Sequence, residues 1–349
     1  MPIKRRDFLK SSVALPFVGA ISPSSFATAD KNIIKPAALK KGDTIGIICP
    51  AYSAFIIEDV KIATESLNEL GFKVKLGEHI YDRYGYLAGQ DIDRALDINN
   101  MFADKSVDGI LAMHGGWGCA RLLPLLNYEV IKANPKILVG YSDVTALLLG
   151  IYERTNMATF HGPVGSSTWN TFSVNYFQSV LMHGNAVRMS NPIKKGDNLV
   201  QVENRISTIT PGEATGRLIG GNLTVLSHLL GSTYMPDCTG AILFLEDVSE
   251  DIYRMDRMIT HLKLAGILDQ IKGFVFGKCT DCNPSKGGYG SLTLEDIWRD
   301  HIAPLNIPAF SGAMIGHIED KFTMPLGIEA TINATNGTIK LNESAVTKS

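Results

Sequence analysis

Ile137-Leu138-Val139-Gly140-Tyr141-Ser142-Asp143-Val144-Thr145-Ala146-Leu147-Leu148-Leu149 joins a short apolar run to an apolar helical pattern with no spacer between them. The reading that follows is a buried strand, a sharp turn and a helix, with Ser142 on the turn. Such a turn exposes the serine hydroxyl and leaves the unpaired N–H groups of the helix start beside it, where a negative oxygen can be held. This is the logic of a nucleophile elbow, although the usual elbow has glycine two residues after the serine and Val144 stands there. The turn alone serves equally as a helix cap, since Ser and Asp both cap well.

Outward from this stretch, strands and helices alternate. Thr44–Cys49 is a near-continuous apolar strand, of the kind that suits a parallel sheet buried on both faces. A helix over about Ile57–Leu70, a strand Phe72–Leu76, a helix over Asp91–Phe102 and a strand Gly109–Met113 follow. A helix at Ala120–Leu126 then leads into the opening stretch. The alternation predicts a doubly wound α/β domain over residues 30–165, whose ligands lie beyond the carboxyl ends of its strands. Ala158–Pro163 reads as one further strand and turn. Residues 166–211 are polar and poorly periodic, and read as an interdomain segment with one helix near Val174–His183. A second domain, 212–349, starts near Gly212. It holds Gly220-Gly221-Asn222-Leu223, the strand Ala241–Asp247, a helix over about Ile252–Ala265, a strand Gly273–Phe276, a helix near Leu294–His301 and two closing strands with alternating pattern.

The chain has 349 residues, is 45% hydrophobic and 19% charged, and carries a formal charge of −2. That is enough material for a large core in two domains, and the charge gives no reason to expect nucleic acid as a partner. No apolar run is long enough to span a bilayer, so stable membrane insertion is not expected. Residues 1–29 read as an export signal: Arg5-Arg6 in Lys4–Lys10, a mildly apolar region over Ser11–Ile21, and the small-residue stretch Ala27-Thr28-Ala29 before Asp30. The expectation is export by the twin-arginine pathway to the periplasm.

The five cysteines, an odd count at irregular spacing, argue against a disulfide framework. Cys279-Thr280-Asp281-Cys282 has the spacing of half a zinc site, but no further ligands stand near it, and its thiols read as buried or in a loop.

Ser142 needs a base and a group that orients the base. His114, His161 and His317 each stand at a strand end beside glycine, and His317, in Ile-Gly-His-Ile-Glu-Asp, is the base candidate. Glu246 ends a buried strand, where a carboxylate is costly unless paired, and a histidine would satisfy it. Asp247 competes with it, but adjacent strand residues face opposite ways and only one of the two can point at the site. Gly115-Gly116-x-Gly118 follows a strand. It matches neither a dinucleotide fingerprint nor a Walker loop; it does let a backbone N–H approach a ligand closely, as an oxyanion hole requires. Cys119 is a rival nucleophile at a helix start.

His114-Gly-Gly-Trp-Gly-Cys-Ala-Arg-Leu-Leu, Pro135-Lys-Ile-Leu-Val-Gly-Tyr-Ser-Asp-Val-Thr-Ala-Leu, Gly220-Gly-Asn-Leu, Leu245-Glu-Asp and Gly316-His317 together resemble the LD-carboxypeptidase family. This group of serine peptidases includes muramoyltetrapeptide carboxypeptidase and the microcin C immunity hydrolase. The resemblance runs over roughly 35–345. It implies a flavodoxin-like N-terminal domain and a smaller β-rich α/β C-terminal domain with the site between them. It implies a Ser142–Glu246–His317 triad, an oxyanion hole from the N–H groups of Gly116 and Asp143, and no metal or cofactor. The family's glycine loop usually reads Arg-Gly-Gly-Tyr-Gly, so His114 and Trp117 depart from it. The implied activity is release of C-terminal D-alanine from a murein tetrapeptide. The alternatives are hydrolysis of a microcin C-like peptide–nucleotide and, from another class, a two-lobed periplasmic binding protein without catalysis. A homodimer is left open.

Overall fold

A computed structural model describes residues 32–284 and 290–348. The export signal expected at residues 1–29 lies outside the described residues.

The first sheet is built from β1 (Thr44–Ile48), β2 (Lys73–Leu76), β3 (Gly109–Ala112), β4 (Ile137–Gly140) and β5 (Thr159–His161). These five are parallel and stand in the order 2-1-3-4-5, which is the flavodoxin-like arrangement. All four residues of both β3 and β4 are buried, as strands covered on both faces must be. The covering helices are α1 (Ile57–Glu69), α2 (Asp91–Ala103), α3 (Tyr128–Ala133) and α4 (Thr145–Thr155). α1 is amphipathic and buries Val60, Ala63 and Leu67, three positions on one helical face. α4, with the sequence Thr-Ala-Leu-Leu-Leu-Gly-Ile-Tyr at its start, is buried nearly throughout. A helix that is apolar all round needs cover on every side, and α4 has it from α3 and from the second half of the chain. The helix expected over Ala120–Leu126 is instead a 3-10 segment, Cys119–Leu125, with Pro124 inside it. Proline lacks the N–H that an α-helical turn would use.

Residues 166–211 hold α5 (Thr171–Phe177), continued by one wide turn over Gln178–Met182. They also hold β6 (Arg188–Met189) and β7 (Ser207–Thr210), which form the two edges of a second sheet. Its other strands are β8 (Glu213–Asn222), β9 (Ile242–Val248), β10 (Gly273–Thr280), β11 (Ala309–Ser311), β13 (Glu329–Asn333) and β14 (Thr338–Leu341). The order is β6-β14-β13-β8-β9-β10-β11-β7. β8 to β11 run parallel, and the outer strands pair antiparallel. α6 (Leu223–Leu229), α7 (Ile252–Leu264) and α8 (Leu294–Ile297) connect them.

The strand β12 (Met324–Leu326) pairs antiparallel with β5 and closes the edge of the first sheet. Only Gly327 and Ile328 separate it from β13, which belongs to the second sheet. The chain from β11 to β12 therefore crosses from one sheet to the other, and His317 lies on that crossing. α4 is tied to the second sheet as well: Asn222, the last residue of β8, donates its backbone N–H to Thr145 Oγ1 at 3.0 Å. No helix among the described residues is long and apolar enough to cross a membrane.

Candidate active site

β4 ends at Gly140, and the chain then turns through Tyr141 in extended backbone. Ser142 has φ of 62°, the left-handed region that a residue with a side chain adopts at a cost. Ser142–Val144 forms one 3-10 turn, and α4 follows without a break. Val144 is fully buried and belongs to the core. The position that carries glycine in the usual elbow is here a packing residue.

The glycine loop lies against this turn. A Cβ placed on Gly115 would stand 2.6 Å from Ser142 Cβ, 2.8 Å from Ser142 Oγ and 3.2 Å from the backbone nitrogen of Asp143. Any side chain there would fill the space in front of the serine, so the residue must be glycine. The Asp143 carboxylate accepts the backbone N–H of Cys119 at 2.8 Å. One residue thus ties the elbow to the far end of the glycine loop. Burial raises the Asp143 carboxyl above its ordinary range, and the Cys119 N–H opposes that. Cys119 itself is fully buried, and burial pushes its thiol well above the usual value, with the Asp143 charge adding to the effect. A thiol held protonated is no nucleophile, so this position does not rival Ser142.

Glu246 is fully buried at the carboxyl end of β9. Its Oε2 lies 2.9 Å from His317 Nδ1. Gly316 precedes that histidine with φ of 124°, and a Cβ on it would come within 2.8 Å of Glu246 Oε2. The Gly-His pair is therefore a packing requirement of the carboxylate. Burial drives the Glu246 carboxyl up, but His161 and His317 more than offset it and hold it below its ordinary value. The carboxylate is ionised and pinned. Asp247 faces the other way. It accepts from Asn222 Nδ2 (3.1 Å), from the Thr224 N–H and hydroxyl (both 2.9 Å) and from the Val248 N–H. Burial, with the Glu246 charge second, pushes its carboxyl up to about 6.

The His317 ring packs edge-on against Tyr141 at 4.9 Å between centroids, which brings it to the residue beside Ser142. Among the described residues Ser142 Oγ makes no hydrogen bond. Catalytic hydrogen bonds are often long without substrate and tighten when it binds. The structure thus joins Glu246 to His317, sets both against the elbow through Tyr141, and lays the glycine loop and the Asp143 nitrogen against Ser142.

Three features were not legible beforehand. His161, the last residue of β5, places Nε2 3.7 Å from Glu246 Oε1. Lys321 is 4% exposed, and its Nζ sits 5.1 Å from the centre of the Tyr141 ring with no ion pair among the described residues. Cys279 and Cys282 form a disulfide, which corrects the reading of both as thiols. The Thr280 hydroxyl inside that short loop donates to the His317 carbonyl at 2.9 Å. A signal for the pair existed in their spacing, but the odd cysteine total hid it. Cys49, Cys119 and Cys238 remain free and buried.

Comparison with known proteins agrees with this architecture. Residues 45–162 match the model of the LD-carboxypeptidase N-terminal domain, and residues 215–332 match that of the C-terminal domain. A Bacillus subtilis (strain 168) protein named "Probable murein peptide carboxypeptidase" is 36% identical over 306 residues, covering 87% of this chain and 93% of that protein. The solved structure of the microcin C7 self-immunity protein MccF superposes with a TM-score of 0.81 at 27% identity, over 90% of this chain and all of that one. A muramoyltetrapeptide carboxypeptidase from Oxalobacter formigenes gives 0.73 at 28% identity, over 85% of this chain and 97% of that one. The chain belongs to the LD-carboxypeptidase family. It is a peptidase with the two-domain, mixed α/β architecture of that family.

Proposed function

We propose that this enzyme removes the C-terminal D-amino acid from a murein tetrapeptide, with Ser142 as nucleophile, His317 as general base and acid, and Glu246 as the group that orients His317. Ser142 Oγ attacks the carbonyl carbon on the L side of the scissile bond, and its proton passes to His317 Nε2. Nδ1 is turned to Glu246, so Nε2 is the nitrogen left for the serine. The oxyanion is held by the N–H groups of Asp143 and Gly116, each worth about 3–4 kcal/mol in the transition state. His317 returns the proton to the departing amine, and D-alanine leaves. Water, activated by the same imidazole, then hydrolyses the ester and restores Ser142.

The observation that carries this reading is the contact of Glu246 with His317 beside a serine held at positive φ. These groups come from β9, the β11–β12 crossing and the end of β4. A binding protein without catalysis has no use for a strained serine faced by a glycine loop.

Lys321 suits a substrate that ends in a free carboxylate. A buried ammonium without an ion-pair partner is costly. The anionic end of a peptide seated at Ser142 would compensate it. The murein reading also draws on the relatives named as murein peptide and muramoyltetrapeptide carboxypeptidases. The likeness to the microcin immunity protein supports the peptide–nucleotide as the competing substrate. Export by the twin-arginine pathway, read from residues 1–29, favours the murein fragment because it would place the enzyme in the periplasm, where such peptides are released. Mass spectrometry of products separates the two: loss of one D-alanine from a murein tetrapeptide supports the proposal, and cleavage of a peptidyl adenylate with no such loss overturns it.

A further inference from the structure

Glu246 uses only one of its oxygens on His317. Among the described residues Oε1 has no hydrogen bond, and neither do the two ring nitrogens of His161. Both side chains are buried, at 0% and 2% exposure. These unpaired atoms face one another: His161 Nε2 stands 3.7 Å from Oε1. A buried donor and acceptor this close, each lacking another partner among the described residues, gain most by meeting.

The place of His161 in the fold explains why it can act here. It ends β5, opposite Gly140 of β4 and Met324 of β12 in register. β4 leads two residues later into Ser142, and β12 follows seven residues after His317. The imidazole is wedged between Tyr141 at 6.0 Å and Phe244 at 5.7 Å. It therefore meets the carboxylate at the oxygen that His317 does not use, and is held there by rings that leave it little freedom.

We propose that His161 is a positioning residue for the peptidase reaction: its Nε2–H is the donor for Glu246 Oε1, and the carboxylate is clamped between two imidazoles. His317 touches the reacting serine proton; His161 does not. With both oxygens engaged, the carboxylate plane cannot rotate as His317 gains and loses its proton, and the ring stays aimed at Ser142. No proton leaves His161 in the cycle.

The inference rests on the roles given to Ser142, Glu246 and His317. Those fail if Ser142→Ala retains activity, whereas His161 is judged against an active wild type. The test compares His161→Phe, which keeps the ring and loses the donor, with His161→Gln, which keeps a donor. D-alanine release from murein tetrapeptide is measured for each. The expected result is kcat lower by about tenfold or more in His161→Phe, part of the 10²–10⁴ that a well-placed acid–base group supplies, with KM unchanged and with His161→Gln recovering most of the loss. Equal losses in the two variants that follow their melting temperatures, or an unchanged kcat in His161→Phe, overturn it. Nitrogen-15 spectra of the wild-type histidines provide a readout that needs no variant: His161 must carry a proton on Nε2, and a ring protonated on Nδ1 alone contradicts the proposal.

Discussion

Glu246 Oε2 and His317 Nδ1 stand 2.9 Å apart, although they are 71 positions apart in the sequence and arrive from different elements. The carboxylate comes from the middle of the second sheet, and the histidine from the segment that crosses back to the first. Because the carboxylate is fully buried, its charge is felt through protein and not through water. Exchanging it for an amide of the same shape isolates this effect. Glu246→Gln is expected to keep the fold and to lower kcat by on the order of 10³–10⁴, as loss of tautomer control does in related triads. Steady-state rates of D-alanine release with circular dichroism as the fold control measure it; a loss below tenfold contradicts the role.

Lys321 gives a prediction in pH. Burial lowers its ammonium to about 8, against the opposing pull of Glu246. Below that value the side chain is a cation and attracts a terminal carboxylate; above it the cation is lost. KM for a peptide with a free C-terminus is therefore expected to rise as pH passes about 8, while an amidated peptide shows no such rise. Lys321→Met should raise KM for the free acid by about tenfold, ~1.4 kcal/mol, and remove its pH dependence.

The disulfide should act on rate more than on stability. It closes a loop of a few residues, and short loops constrain the unfolded chain least. Its consequence is local: Thr280 is held where its hydroxyl reaches the His317 carbonyl. Replacing both Cys279 and Cys282 with serine is expected to lower kcat by less than about tenfold, up to ~1.4 kcal/mol of barrier, with little change in melting temperature. Thr280→Val should cost a similar amount. The two changes combined should cost no more than one alone, since they act through one contact.

Thr145 joins the helix that follows Ser142 to the second sheet. It is fully buried and accepts the Asn222 N–H at 3.0 Å. Thr145→Val keeps the shape and leaves that N–H unpaired, which should destabilise the protein by about 1–3 kcal/mol. Urea unfolding measures it, and an unchanged midpoint would show that the joint carries no load.

Much of this is legible in the amino-acid sequence. The buried runs at Thr44–Ile48, Gly109–Ala112 and Ile137–Gly140 follow from the apolar continuity of parallel strands, and the separate directions of Glu246 and Asp247 follow from strand alternation. What was not readable depends on contacts between distant segments. Met324-Pro325-Leu326 is too short to show a period, so nothing marked it as a strand of the first sheet. His161 looked like any histidine at a strand end. Its meaning comes from Glu246, which the meeting of the two sheets brings to it. Lys321 carries no signal in its neighbours either, since Glu319 and Asp320 beside it suggest a solvated stretch.

Ser142 is expected to form the ester with substrate. The most direct measurement is release of D-alanine from murein tetrapeptide by Ser142→Ala, beside the wild type, with folding verified for both. The wild type is expected to release one D-alanine per peptide, and the variant to lose at least about 10³-fold in kcat, the scale on which a serine triad depends on its nucleophile. A folded Ser142→Ala enzyme that releases D-alanine at the wild-type rate would contradict the mechanism.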